Sequence, residues 1–275
     1  MRSAMLALVL VSSAYGQSAI QSGGAAVSNP NIAAFPAPPS NAVLFSNLQA
    51  QPAANWTSLG GTAPSGGSNT GSVGVTFGGI SPSLSRNAID VIANGNGYNV
   101  QTFNPVGCPS GSCTSGFTTI QADAYIYIPS TSNMNPLQGL EGPDVSLYTG
   151  AYLLYPSMQC ATNPGSTTPS LPTWNVWSSS AWITLNISCN TFLNTLNKWQ
   201  HIQVKYNVNL ASTPPTFTYN TMYVQNKAVY TNLGLTYAAS AYSGGANLKA
   251  QFQVDSQATS TSSQFVFDQY SIGVF

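Results

Sequence analysis

Any chemistry in this chain has to come from very few residues. The sequence holds one histidine, His201, and six acidic side chains against six Lys or Arg. Two of the acids fall close together, in Glu141-Gly142-Pro143-Asp144. Paired carboxyl groups cleave glycosidic bonds when both point into one cleft, about 5–5.5 Å apart for retaining chemistry. On a regular strand a spacing of three sends the two side chains to opposite faces, and Pro143 removes a ladder donor. The expectation is a polar loop at 141–144 and no catalytic pair. Asp123 with Asp255 is the long-range alternative, and nothing in the sequence marks it. Ser-His-Asp chemistry lacks a G-x-S-x-G elbow, and His201 is expected as a satisfied, partly buried strand residue. Calcium needs several oxygen ligands on neighbouring loops, whereas Asp144, Asp255 and Asp268 are scattered. The reading leans against an enzyme and assigns no catalytic residue, no metal and no cofactor.

The elements that position these residues are bounded by composition. Only 4% of the 275 residues are charged, where about 25% is usual. Six scattered cations cannot neutralise a phosphate backbone, which excludes a nucleic-acid partner. With 43% hydrophobic residues the chain has material for a large core, unlike charge-driven disordered chains. Residues 1–16 read as a cleaved secretory signal: Met1-Arg2, an apolar run from Ala4 to Val11, then Ala14-Tyr15-Gly16. The apolar run is far short of the ~20 residues of a membrane span, so no membrane insertion is expected after cleavage. Residues 17–53 are rich in Ala, Ser, Pro, Asn and Gln and read as a low-complexity leader, within which Ala42 to Phe45 has the makings of a first strand. Residues 54–275 form one domain, exported to the medium, the periplasm or the cell surface.

Four cysteines in an exported chain favour disulfides over zinc, and no C-x-x-C pair is present. Cys108 and Cys113 bracket Pro-Ser-Gly-Ser, a turn that brings them together and leaves Cys160 for Cys189. The second bridge closes a loop of roughly 30 residues, worth about 3–4 kcal/mol. The sequons at Asn55 and Asn186 would take N-glycans in a eukaryotic host.

Strand signals dominate from Gly71 onward. Gly71 to Phe77 alternates, Ala88 to Ala93 is an apolar run, and Asn94-Gly95 reads as a hairpin turn. Phe117 to Ile128 places Ala124, Ile126 and Ile128 on one face with Tyr125 and Tyr127 opposite. Further strands are expected over 145–154, 175–185, 200–208, 217–224, 228–230, 248–254 and 264–275, with one helical turn near Phe192 to Asn197. The fold class is all-β, a two-sheet antiparallel β-sandwich of jelly-roll type.

Three stretches carry a resemblance. Trp199 to Tyr206 (WQHIQVKY) resembles the W-x-H-I/V-x-V/W-x-Y strand of the concanavalin A-like lectin/glucanase superfamily in its laminin G-like form. Met222 to Tyr230 resembles the hairpin reading L-x-V-D-G-x-x-Y, and Phe265 to Ile272 resembles the closing Y-x-D-x-L-x-I strand. The run Cys160, Trp174, Trp177, Trp182, Cys189 is similar to exported bacterial proteins of this fold. The resemblance spans 117–275 well and 55–116 loosely. It implies a sheet face on which carbohydrate binds, while the glucanase E-x-D-x-x-E strand is missing.

Sugars are held by aromatic rings stacked on C–H faces and by amides and hydroxyls bonded to the equatorial groups. Period-two parity puts Asn175 with Trp177, His201 with Gln203 and Lys205, and Gln251 with Gln253 and Asp255. Val176, Ile202, Val204, Phe252 and Val254 then face the other sheet. The expectation is one polar binding surface made of Trp177, Asn175, His201, Gln203, Gln251 and Gln253, with Trp174, Trp182 and Trp199 in the core. The function read from sequence is a secreted, non-catalytic, lectin-like domain whose partner is a polysaccharide or surface glycan. The alternatives are a structural or adhesive surface protein without a sugar ligand, and an atypical glycoside hydrolase.

Overall fold

The computed structural model describes residues 37–50, 53–61, 73–94, 97–103, 106–108, 113–132, 137–161, 171–256 and 262–275. The signal at 1–16 and the leader as far as residue 36 lie outside them. The first strands are β1 (Val43–Phe45), β2 (Trp56–Gly61), β3 (Val73–Phe77), β4 (Ile89–Asn94) and β5 (Gly97–Phe103). Next come β6 (Thr119–Tyr127), β7 (Leu137–Tyr148), β8 (Tyr152–Leu154), β9 (Met158–Ala161), β10 (Thr173–Trp177) and β11 (Trp182–Ser188). One turn of helix, α1 (Asn190–Leu193), precedes β12 (Trp199–Asn209). The chain closes with β13 (Thr216–Val224), β14 (Lys227–Thr231), β15 (Thr236–Ala238), β16 (Ser240–Ala241), β17 (Asn247–Ser256) and β18 (Ser262–Val274).

These strands form two antiparallel sheets. The first runs β14-β13-β12-β6-β18-β4-β3, with β1 against β18 and β15 against β13. The second runs β11-β10-β9-β7-β17-β5-β2, with β8 beside β7 and β16 beside β8. Alternation decides what lies between them. Ile120, Ala122, Ala124 and Ile126 of β6 face Leu248, Ala250, Phe252 and Val254 of β17 across one core, all fully buried. Phe252 stacks on Phe267 of the opposite sheet at 4.2 Å, and Trp56 lies 5.3 Å from both Phe103 and Phe267. Each such buried side chain contributes about 1.5–3 kcal/mol. The hydroxyl of Tyr219, on β13, donates to the Ser157 carbonyl (2.7 Å) and accepts from the Trp177 amide (3.1 Å), tying the sheets together with polar bonds.

Both disulfides pair as the loop argument requires, Cys108 with Cys113 and Cys160 with Cys189, at Cα separations of 5.0 and 5.9 Å. Two expectations need correction. Gly95 of the expected Asn94-Gly95 turn lies outside the described residues, and the strands on either side are not paired as a hairpin: β4 pairs with β18 and β3, whereas β5 pairs with β17 and β2 in the other sheet. The long C-terminal strands supply more pairing and burial than a local ribbon would, and they claim both elements. The folded body also begins before residue 54. β1 pairs with β18, Leu48 is buried, and Gln49 Oε1 accepts from the Tyr270 amide at 2.8 Å.

Candidate functional site

The outer face of the first sheet is built by β13, β12, β6 and β18. Inward positions on β6 and β12 are apolar apart from Gln200, which donates to the Phe192 carbonyl, so the alternate residues emerge on the other side. Cross-strand register sets them in rows. One row reads Tyr223, Gln203, Asp123, Ser271; the next reads Thr221, Lys205, Gln121, Gly273. Toward the other end, His201 lies beside Tyr125, and Trp199 beside Tyr127.

These residues bond to one another. His201 Nε2 lies 2.7 Å from Asp123 Oδ1, and Gln203 Nε2 donates to Asp123 Oδ2 at 3.1 Å. The Tyr125 ring stacks on the imidazole at 4.3 Å with the planes 4° apart, and Tyr127 tilts against Trp199 at 5.5 Å. Burial, then the Asp123 charge, pushes the Tyr125 phenol above its ordinary value, so it stays protonated. The turn beyond β13 uses Gln225 and Asn226, both at positive φ, as a two-residue hairpin favours. Gln225 then reaches back, accepting from the His201 amide (3.2 Å) and donating to the Trp199 carbonyl (2.8 Å). The result is a preorganised plate of amide, imidazole, carboxylate and phenol groups. A shallow cavity of about 80 Å³ sits on it, lined by Gln121, Gln203, Lys205, Thr221 and Tyr223.

The six residues expected to share one surface do not. His201 and Gln203 are on β12 of the first sheet; Asn175 and Trp177 on β10 and Gln251 and Gln253 on β17 belong to the second. Even there β9 and β7 separate β10 from β17. Parity fixes a residue's face relative to its own strand, but which sheet the strand joins is a long-range outcome. Asn175 is buried and donates to the Thr173 carbonyl at 3.0 Å. Trp177 is half-buried, edge-on to Trp182 at 5.3 Å. Trp174 is in the core as expected, whereas Trp182 and Trp199 are half-buried on the outside. Asp123, Gln121 and Tyr223 were missed. Asp123 and Gln121 share parity with Tyr125 and Tyr127, so the signal was present in the alternation of β6.

The acidic pair overturns the parity argument as well. Glu141 and Asp144 are buried within β7, not in a polar loop. Glu141 stands opposite Gln253 and Asp144 opposite Gln251, so Gly142 and Pro143 together face Phe252 alone. This is a β-bulge, and its extra residue returns both acids to one face. Gly142 has φ +111°, and a Cβ there would meet the Phe252 ring at 2.4 Å. Gln253 Nε2 donates to Glu141 Oε1 (3.0 Å) and to Asp255 Oδ1 (2.9 Å). Asp144 accepts from the Ser157 hydroxyl (2.5 Å) and the Met158 amide (3.1 Å). Burial raises all three carboxyls, Asp144 and Asp255 each to about 7. Glu141 rises well above its ordinary value through burial, then the charges of Asp255 and Asp144. The other proposed pair fails on topology: Asp123 is on the first sheet and Asp255 on the second. Among the described residues no group of three or more His, Cys, Asp or Glu is arranged to hold a metal.

No family model matches the chain, and no curated protein matches it. Among solved structures it is similar to a lectin from Bauhinia forficata in complex with GalNAc, with 12% identity and a TM-score of 0.45 over 85% of this chain and 98% of that one. It is similar to the alginate lyase vAL-1 from Chlorella virus, with 9% identity and a TM-score of 0.44 over 76% and 94%. It is also similar to the carbohydrate recognition domain of Emp47p, with 12% identity and a TM-score of 0.43 over 82% and 98%.

Proposed function

We propose that this chain is an exported, non-catalytic domain that binds carbohydrate through the outer face of its first sheet. The observation that carries the reading is the plate itself: Gln121, Asp123, Gln203, Lys205 and Tyr223 set in register beside the rings of Tyr125, Tyr127 and Trp199. Sugar hydroxyls are donors and acceptors at once, and side-chain amides supply both functions in fixed geometry. Aromatic rings take the C–H faces of the pyranose. Holding the amides in place beforehand lowers the ordering cost that binding must meet.

The non-catalytic part rests on placement. Glu141, Asp144 and Asp255 keep their protons readily, as an acid catalyst must, but all three lie on β7 and β17 of the second sheet, away from the plate. None of them lines the cavity on the first sheet. Export rests on the 1–16 signal and agrees with two disulfides. A glycan array probed with the full chain tests the function, followed by titration of the strongest ligand into Gln203→Ala. Binding weakened about tenfold is expected from loss of a ligand hydrogen bond, with a modest fall in Tm from loss of the Asp123 bond and the fold retained. Unchanged affinity in Gln203→Ala, or an array with no ligand, overturns the reading.

A further inference from the structure

A second cavity lies on the other side of the sandwich, at the far end of β7 and β17. It has a volume of about 230 Å³ and is lined by Tyr148, Tyr242, Gly245, Ala246, Asn247 and Lys249. Register builds its floor: Tyr148 stands opposite Asn247, and Lys249 opposite Ser146, all on the outer face because Leu147 and Leu248 are buried in the core. The wall is the segment after β16, held by the Tyr242 amide on the Ala151 carbonyl (2.9 Å) and the Gly244 amide on the Gly150 carbonyl (3.3 Å). The Tyr242 ring stands edge-on to Tyr148 at 4.7 Å, and the Lys249 ammonium sits over the Tyr148 ring, 4.5 Å from its centre. Gly244 passes so close that a Cβ would fall 2.3 Å from the Tyr242 hydroxyl, so this segment holds the ring against the groove.

The charge is what makes the groove selective. Every acid in the sequence is committed elsewhere. Asp90 accepts from Gln264, Asp123 from Gln203, Glu141 and Asp255 from Gln253, Asp144 from Ser157, and Asp268 from Ser83. Among the described residues no lysine or arginine lies within salt-bridge distance of a carboxylate, His201 beside Asp123 being the one basic side chain that does, so Lys249 has no carboxylate within reach. The buried cluster adds to this: burial favours the protonated form of Asp144 and Asp255, which lowers the negative charge they set against an anionic ligand.

We propose that the groove of Tyr148, Tyr242, Asn247 and Lys249 is a second binding site that takes an acidic sugar residue of a polysaccharide. The carboxylate of a uronic acid sits against the Lys249 ammonium, and the sugar ring lies along Tyr148 and Tyr242, with the Asn247 amide at its edge. Two rings and one cation recognise a residue that is apolar on its ring face and anionic at one carbon, a combination that neutral hexoses lack. The site stands independently of the plate on the first sheet.

The test is calorimetric titration of the full chain with tetramers of galacturonate and of glucuronate, and with their methyl esters, in low salt. One free-acid tetramer is expected to bind, and its neutral ester to bind about tenfold more weakly or worse, as the loss of a charge-assisted contact requires. Lys249→Met should show the same loss at unchanged Tm, while Lys249→Arg retains binding. Gln203→Ala should leave the uronate affinity unchanged, which separates this site from the plate. The proposal is overturned if neither tetramer binds or if the methyl ester binds equally well. It is likewise overturned if Lys249→Met is silent while Gln203→Ala abolishes binding, which would place the acid beside Lys205 on the first sheet.

Discussion

The carboxyl cluster is expected to make this protein more stable in acid than at neutral pH, and the size of the effect follows from its burial. Asp144 is fully buried, and its carboxyl rises from an ordinary 3.8 to about 7. Burial outweighs the hydrogen bonds from Ser157 and Met158, which act in the opposite direction. A carboxyl whose folded value is raised binds its proton more tightly in the native state. Its stabilisation is therefore complete below about pH 4 and is lost as pH climbs through 7. About three pH units at 1.36 kcal/mol each is about 4 kcal/mol. Asp255 and Glu141 move in the same direction. The three share one neighbourhood, so their increments do not add, and about 4 kcal/mol is the scale for the group. For a domain of this size, 1 kcal/mol shifts Tm by about 2–4 °C, so melting should fall by roughly 8–16 °C between pH 4 and pH 8. Differential scanning calorimetry at half-unit steps reads this directly. Asp144→Asn, which keeps an acceptor for the Met158 amide without the titrating group, should remove about half of the slope or more. A flat or rising Tm over this range, or a slope unchanged in Asp144→Asn, would refute the reasoning.

Three further outcomes are expected. Gly142→Ala should cost roughly 2–4 kcal/mol in urea unfolding, since a Cβ at φ +111° meets the Phe252 ring. Replacing Cys160 and Cys189 by Ser should cost about 3–4 kcal/mol, whereas opening the five-residue Cys108–Cys113 loop should cost measurably less, both read by the same denaturation assay. Gly244→Ala should displace Tyr242 and weaken uronate binding while Gln203-dependent glycan binding persists, as titration of both ligands would show.

How much of this was legible in the sequence depended on range. Alternation in β6, β12 and β17 identified which residues face the core, because parity is a local property. It also placed His201, Gln203 and Lys205 on one face, where the structure has them. Sheet membership was not legible. Asn175, Gln251 and His201 have similar local patterns, yet β10 and β17 join one sheet and β12 the other, through pairings tens of residues apart. The Glu141–Asp144 geometry failed for a different reason. A bulge changes the count of residues without changing their types, and Gly142 before Pro143 reads equally well as a loop. The groove at Tyr148 and Tyr242 was invisible for the first reason again, since its two rings lie on segments that meet only through β8 and β16.

The central claim is that carbohydrate lies on the plate of the first sheet. The most direct measurement is a heteronuclear NMR titration of the labelled chain with the strongest neutral glycan from the array, following side-chain amide and indole signals. The account predicts shifts for the Gln121 and Gln203 amides and the Trp199 indole, with the Gln251 and Asn175 amides unmoved. Shifts confined to Asn175, Gln251 and Trp177 would contradict it.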